Sequence, residues 1–359
     1  MKFYMPVKVY DEKDSVSKHA KELAALGNKA LIVTGRTSAK KTGALDDVCD
    51  ALKQYNKEWC VFNGVEENPS VETVRKAASI GMEEGCDFVI GIGGGSPMDA
   101  SKAIAFLMKQ GNSEVDLYDA SIADDALPVA AVPTTCGTGS EVTGVSVLTV
   151  HEKSTKKSIP HKIFPEIALI DGKYLSGAPH SIIMNTSVDA LAHMMESYLS
   201  KKADDYSKAV VIEGLKIWNQ CKDIVDGSRK AGEEDYALLM RASTFAGMAI
   251  AQTGTSIPHA LSYILTYDDK VAHGRACGLF LARFVKEALP EDKEPILEAA
   301  GFKDADDFVD WIEKIFEGTE VRKETWQRAY DVVVKDNVRM TSSRVFLDAD
   351  ILKRIVGIE

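Results

Sequence analysis

Four side chains in the second half of the chain have the types and spacing to hold a divalent metal. Asp189 and His193 lie in Ser187-Val188-Asp189-Ala190-Leu191-Ala192-His193-Met194-Met195-Glu196, a stretch of helical periodicity. The four-residue separation puts carboxylate and imidazole on one helical face. Two donors on one rigid face make half a metal site. The other half is His259, in Ser256-Ile257-Pro258-His259-Ala260-Leu261 at a later helix start, and His273, in Val271-Ala272-His273-Gly274-Arg275 in the loop beyond. Closing the site therefore requires these helices to pack together. A D-x-x-x-H pair recurs by chance, and one histidine among seven is more often a surface or hydrogen-bonded residue than a ligand. The donors gain weight from a second, independent constellation in the other half of the chain.

That constellation is Asp87-Phe88-Val89-Ile90-Gly91-Ile92-Gly93-Gly94-Gly95-Ser96-Pro97-Met98-Asp99-Ala100-Ser101-Lys102, an apolar strand running into three glycines and a helix start. Ser96 is expected as the N-cap, Pro97 as the first helical residue and Asp99 as the acid against the positive end of the dipole. The turn before them lacks Cβ atoms, so a ligand oxygen can approach the backbone N–H groups, as in phosphate binding at helix N-termini. The spacing is neither the common dinucleotide fingerprint nor a P-loop, and a plain strand-to-helix turn would look the same. A second turn, Pro133-Thr134-Thr135-Cys136-Gly137-Thr138-Gly139-Ser140-Glu141, follows the strand Val129–Val132. Two such loops belong side by side at the carboxyl edge of a parallel sheet, where open α/β sheets bind nucleotides.

The elements that must position these groups change character partway along. Up to about residue 178, short apolar runs (Lys29–Thr34, Trp59–Phe62, Phe88–Ile90, Val129–Val132, Ile167–Ile170) alternate with amphipathic stretches, and Val145–Val150 reads as an antiparallel excursion. After Gly177-Ala178-Pro179 the strands stop, and segments of helical period take over at Ser207–Asn219, Tyr236–Gln252 and Ala276–Leu289. The expected fold class is α/β plus all-α. Residues 1–178 form a Rossmann-like, dinucleotide-binding parallel-sheet domain and residues 179–359 a helical metal-binding and catalytic domain. The Met, Leu and Ala faces of the later helices read as core.

Length and composition agree. A chain of 359 residues holds roughly two domains at ~100–200 residues each. Its 45% hydrophobic and 27% charged residues are those of a soluble globular protein. A formal charge of -11 leaves no basic field for nucleic acid or an anionic membrane. The six cysteines, without a C-x-x-C pair, read as thiols in a reducing compartment. With no signal-like N-terminus and no apolar run near the ~18 residues of a membrane span, a cytoplasmic location is expected.

Taken together the motifs resemble the iron-containing, or group III, alcohol dehydrogenases, most closely the butanol and propanediol dehydrogenase branch, over nearly the whole chain. Gly93-Gly-Gly-Ser-x-x-Asp99 with Lys102, the loop Pro133–Glu141, Asp189-Ala-Leu-x-His193-x-x-Glu196, and His259 followed by His273-Gly274 stand in family order. The resemblance implies a dehydroquinate synthase-like architecture and reversible hydride transfer between NAD(P)(H) and a small primary alcohol or its aldehyde. It also implies a homodimer, and a catalytic metal on Asp189, His193, His259 and His273 that polarises the substrate oxygen. Asn68, Gly94, Gly95, Ser96, Thr134, Thr135, Thr138 and Lys157 align with family positions near the dinucleotide. Iron comes from the family name; three imidazoles and a carboxylate suit Fe(II), Zn(II), Ni(II) or Co(II) alike. Two positions depart from the pattern: Ser187 stands where the family has Gly, and Tyr263 where some members have another His.

The cofactor preference follows from the first strand-turn-helix unit, Leu31-Ile32-Val33-Thr34-Gly35-Arg36-Thr37-Ser38-Ala39-Lys40-Lys41. An acid at the strand end would bond the ribose 2′-hydroxyl of NAD and repel a 2′-phosphate. Gly35 leaves room there, and Ser38 with Arg36, Thr37 and Lys40 offers donors to a phosphate, so NADP is expected ahead of NAD. A glycerol or polyol dehydrogenase of the same superfamily is the alternative enzyme, and a non-catalytic dinucleotide-binding sensor with a structural metal is the alternative outside enzymes.

Overall fold

The computed structural model describes residues 2–112, 115–153 and 155–358. Its chain divides into two compact units, Met5–Ala178 and, separately, Pro179–Glu359 with Met1–Tyr4. The first residues, expected with the α/β half, group with the helices: the Tyr4 N–H donates to Gln252 Oε1 at 2.9 Å and Gln252 Nε2 donates back to the Tyr4 carbonyl at 2.9 Å.

The α/β unit holds the strands β1 Lys8–Asp11, β2 Lys29–Gly35, β3 Glu58–Val65, β4 Phe88–Gly93, β5 Val129–Pro133, β6 Val147–Val150, β7 Thr155–Ser158 and β8 Ile167–Ile170. Six of them form one parallel sheet in the order β1-β8-β5-β4-β2-β3. Their alternation builds two cores. Ala30 and Ile32 of β2 face Val48 and Leu52 of the Ala44–Gln54 helix, while Leu31 and Val33 face Val74 of Val71–Glu83 and Ile104 of Gly95–Gln110. A sheet covered on both faces needs strands apolar on both sides, which is why β4 and β5 read as continuous hydrophobic runs. The antiparallel excursion is β6 paired with β7, Leu148 opposite Lys157.

The chain passes from β2 to β3 on one side and returns to β4 on the other, so the order of connections reverses at β2 and β4. Their carboxyl ends, Gly35 and Gly93, stand at the switch point where open sheets bind ligands. Gly93 pairs with Pro133, which sets the β5 loop directly beside the β4 loop.

The second unit is built of helices, the longest being His180–Tyr198, Asp205–Asn219, Glu233–Thr253, Ile257–Asp268 and His273–Lys286. Among its described residues there is no strand beyond an isolated bridge between Ser200 and Ser343. No helix is long and apolar enough to cross a membrane among the described residues.

Candidate metal centre and dinucleotide loops

Three helices of the second unit bring the metal donors together, and two glycines explain how. Gly274, beside His273, sits so close to the His180–Tyr198 helix that a Cβ would lie 1.8 Å from the Asn185 carbonyl oxygen and 3.0 Å from Asp189 Cβ. One turn on, a Cβ at Gly278 would lie 2.8 Å from Val188 Cγ1. The bare face of 273–286 therefore seats against 180–198, and His273 Nε2 reaches within 3.7 Å of Asp189 Oδ1. His259, on the first turn of Ile257–Asp268, brings Nε2 within 3.4 Å of the same oxygen.

His193 lies one turn along from Asp189, its Nε2 4.0 Å from Asp189 Oδ1 and its ring stacked on His259 at 4.4 Å between centroids. The tightest group of donor atoms, all within 4.8 Å of one another, is Asp189, His259, His273 and Cys277. Cys277 was not among the expected ligands. It follows His273 by four residues on the same helix, with its Sγ 3.8 Å from His273 Nε2. The usable signal was the same helical spacing that singles out Asp189 and His193.

Two of the imidazoles, His259 and His273, are each oriented by a second partner. Glu196, fully buried, takes His259 Nδ1 on one carboxylate oxygen and the Ser256 N–H, at 2.5 Å, on the other. Engaging Nδ1 leaves His259 Nε2 to face Asp189, the carboxylate–imidazole arrangement that orients metal-binding histidines. Glu196 follows Asp189 by seven residues, two helical turns, so its place on the donor face was readable from spacing. Ser262 Oγ lies 3.4 Å from His273 Nδ1 and likewise leaves Nε2 inward. The Tyr263 ring lies parallel to that of His273, with centroids 5.7 Å apart. Ser187 sits buried inside its helix, and its carbonyl accepts from Trp218 Nε1 at 2.9 Å.

The electrostatics suit a cation. Burial pushes the Asp189 carboxyl up, but the facing His193 and His273 more than reverse this and hold it well below the usual carboxylate range. Burial presses His193 down to about 4 against the pull of Asp189, keeping its imidazole neutral as a ligand must be. Burial raises the Cys277 thiol, and His259 and His273 together bring it below its ordinary value. Asp189 Oδ1 and His259 Nε2 are buried without a hydrogen-bond partner. Orphaned buried groups of this kind are costly, and a carboxylate oxygen converging with imidazole nitrogens is a donor set for Fe(II) or Zn(II). These residues fit a divalent metal.

In the α/β unit the expected cofactor residues gather around the two loops, with local differences. The helix after β4 starts at Gly95, two residues before the expected Pro97, with Gly94 as N-cap in place of Ser96. The Ser96 hydroxyl does not cap it: it accepts from the Asn68 N–H at 3.0 Å. Asp99 is tied to the next loop, accepting from Ser140 Oγ at 2.5 Å and the Val147 N–H at 2.9 Å. The glycines serve this closeness, since a Cβ at Gly95 would lie 2.7 Å from Thr138 Cγ2 and one at Gly94 would lie 3.0 Å from Thr135 Oγ1. They let the two loops touch each other, beyond the room they leave for a ligand.

Lys102 locks the arrangement from inside. Fully buried, its ammonium donates to Ser140 Oγ at 2.7 Å, the Val145 carbonyl at 2.9 Å and Thr143 Oγ1 at 3.2 Å. Burial brings it down to about 8 despite Asp99 and Glu141 nearby. Asn68, in the left-handed region at φ 59, is held by Ser96 and Thr149 and receives Lys156 Nζ on Oδ1 at 2.8 Å. Lys157, the expected cofactor neighbour, points the other way across the hairpin, exposed, its ammonium 4.7 Å from the centre of the Tyr118 ring. Thr134 Oγ1 is buried with no hydrogen-bond partner. At Gly35 a Cβ would meet only the Val65 carbonyl at 3.7 Å and Ser38 Oγ at 3.8 Å, so the strand end has room.

A parallel sheet with hydroxyl- and glycine-rich loops at its switch point, joined to helices carrying a buried carboxylate–imidazole cluster, defines a nicotinamide-dependent metal dehydrogenase. Residues 6–172 match the iron-containing alcohol dehydrogenase model, and residues 183–353 match the model for the C-terminal part of the Fe-containing alcohol dehydrogenase family. The 1,3-propanediol dehydrogenase of Klebsiella pneumoniae is 33% identical across 77% of this chain and 72% of its own. The NADPH-dependent butanol dehydrogenase of Clostridium saccharobutylicum is 30% identical across 80% of this chain and 74% of its own. The crystal structure of an iron-containing alcohol dehydrogenase from Thermotoga maritima superposes with a TM-score of 0.89 at 34% identity, covering 99% of this chain and 98% of that one. The chain belongs to the iron-containing alcohol dehydrogenase family, and its activity is oxidoreduction between an alcohol and its aldehyde with a nicotinamide dinucleotide.

Proposed function

We propose that this enzyme interconverts small primary alcohols and their aldehydes, of the propanediol and butanol class its relatives are named for, with NADP(H) preferred over NAD(H) and with a divalent metal on Asp189, His193, His259 and His273. The observation that carries this reading is the convergence of His273 Nε2 on two buried ligand atoms that lack a hydrogen bond, Asp189 Oδ1 and His259 Nε2. A bound ion supplies Lewis-acid polarisation of the substrate oxygen. The protein's own residues do the rest. Glu196 and Ser262 hold the two imidazoles in register, Asp189 supplies one negative charge against that of a dication, and burial keeps His193 unprotonated.

In the oxidative direction the carbinol C–H leaves as hydride to the nicotinamide and the hydroxyl proton goes to solvent. In the reductive direction both return. The roomy strand end at Gly35, with Ser38 and the cations of its loop, supports the 2′-phosphate preference. Asn68, Gly94, Gly95, Ser96, Thr134, Thr135 and Thr138 line the loops proposed to take the dinucleotide, and the Lys156–Lys157 hairpin flanks them. The same reading makes the enzyme a cytoplasmic homodimer, which sedimentation checks. The direct test is anaerobic purification with metal analysis, followed by a panel of alcohols and aldehydes, glycerol included, with both cofactors. Turnover of butanal or a propanediol aldehyde with NADPH is expected, and glycerol as the best substrate would overturn the substrate class.

A further inference from the structure

The donor cluster holds one group more than a carboxylate and three imidazoles require. Ligands of one ion at bond lengths of ~2.0–2.3 Å stand ~3.3–3.8 Å apart in a tetrahedron. His259 to Asp189 at 3.4 Å, His273 to Asp189 at 3.7 Å and Cys277 to His273 at 3.8 Å fall in that range, while His193 to Asp189, at 4.0 Å, lies just outside it. The sulfur thus belongs to the group of donor atoms that lie within 4.8 Å of one another, a group that does not include His193. The sulfur is also fixed there. His273 and Cys277 share one helical face by their four-residue spacing, and that helix is pinned to 180–198 at Gly274 and Gly278. The two buried atoms lacking hydrogen-bond partners, Asp189 Oδ1 and His259 Nε2, belong to the same four-atom group as the sulfur. No other cysteine lies in such a group among the described residues.

We propose that Cys277 supplies a thiolate to the metal, giving this enzyme a mixed nitrogen, oxygen and sulfur donor set. The inference rests on the metal reading above and deepens it. A thiolate softens the set, the direction that favours Zn(II) over harder ions. It also adds a second negative charge beside Asp189, so the site as a whole neutralises a dication more fully.

Cobalt(II) reports the difference without reference to turnover, because a sulfur ligand adds a near-ultraviolet charge-transfer band to the visible d–d bands that nitrogen and oxygen ligands produce alone. The full-length protein, stripped with a chelator and loaded with Co(II), is recorded beside Cys277→Ser and Cys277→Ala. The charge-transfer band is expected in the unmodified protein and lost in both variants, with the visible bands retained. A stoichiometric cobalt protein with visible bands and no near-ultraviolet band overturns the thiolate ligand, and so does a band that survives both substitutions. If a variant fails to fold, the unmodified spectrum still decides, since absence of the band there is sufficient. Failure of the unmodified protein to bind cobalt at all would refute the metal reading together with the inference, and is distinguishable from the first result by metal content.

Discussion

Gly274→Ala should empty the metal site without touching a ligand. The added Cβ lies 1.8 Å from the Asn185 carbonyl oxygen, whereas ordinary contact begins at 3.4 Å, so about 1.6 Å of separation must be found. Both sides of the clash are backbone, and no side chain can swing away. The start of the 273–286 helix must retreat, taking His273 Nε2 from 3.7 Å to about 5 Å from Asp189 Oδ1, farther than two ligands of one ion can stand. Overpacking of this kind also costs about 1–3 kcal/mol of stability. Metal affinity is expected to fall by at least ~100-fold, since even orienting residues beyond the ligands are worth ~10–100-fold. Competition against a chromophoric chelator measures it, with circular dichroism to show that the fold survives. A folded Gly274→Ala protein holding metal within about threefold of the unmodified affinity would refute the claim that this close approach assembles the site.

Three further outcomes are expected. Glu196→Gln keeps the size of the side chain but removes the charge that orients His259, so metal affinity should fall ~10–100-fold in the same competition assay; unchanged affinity would sink the role given to Glu196. Gly35→Asp fits the space at the end of β2 and should narrow or invert the ratio of kcat/KM for NADPH over NADH, a claim undone if the unmodified enzyme already prefers NADH. Lys102 sits at about 8 in the fold against an ordinary 10.5, so between these pH values the unfolded chain holds a proton that the folded one does not. Stability should therefore rise with pH across that window, by about 3 kcal/mol from this group. Urea unfolding at stepped pH should show this rise in the unmodified protein and not in Lys102→Met, and equal slopes in the two would contradict it.

Much of the fold was legible because the sheet is doubly covered. Continuous apolar runs at Phe88–Ile90 and Val129–Val132 have few other readings when they alternate with amphipathic helices. β1 was missed, since Lys8–Asp11 is short, at the sheet edge, and without a buried residue. In the site, Asp189 and His193 were visible as a helical pair, and so in principle were Glu196 and Cys277, which obey the same periodicity. Cys277 lacks the C-x-x-C pairing that marks cysteine ligands in sequence, so only its helical spacing from His273 signals it. Local capping was misread at Ser96, whose hydroxyl is committed to Asn68, 28 residues away in sequence. That Lys156, and not Lys157, bonds Asn68 follows from which face of the β6–β7 hairpin turns toward it, a matter of register that composition does not carry.

The assignment of a catalytic metal at Asp189, His193, His259 and His273 is tested most directly by His273→Ala, assayed together for bound metal, aldehyde reduction, dinucleotide affinity and thermal melting. Most metal and most turnover should be lost, while dinucleotide affinity stays within a few-fold because the loops proposed to bind it belong to the α/β unit. A merely structural metal would take folding stability and cofactor binding down with it. Retention of both metal and activity in His273→Ala would contradict the assignment outright.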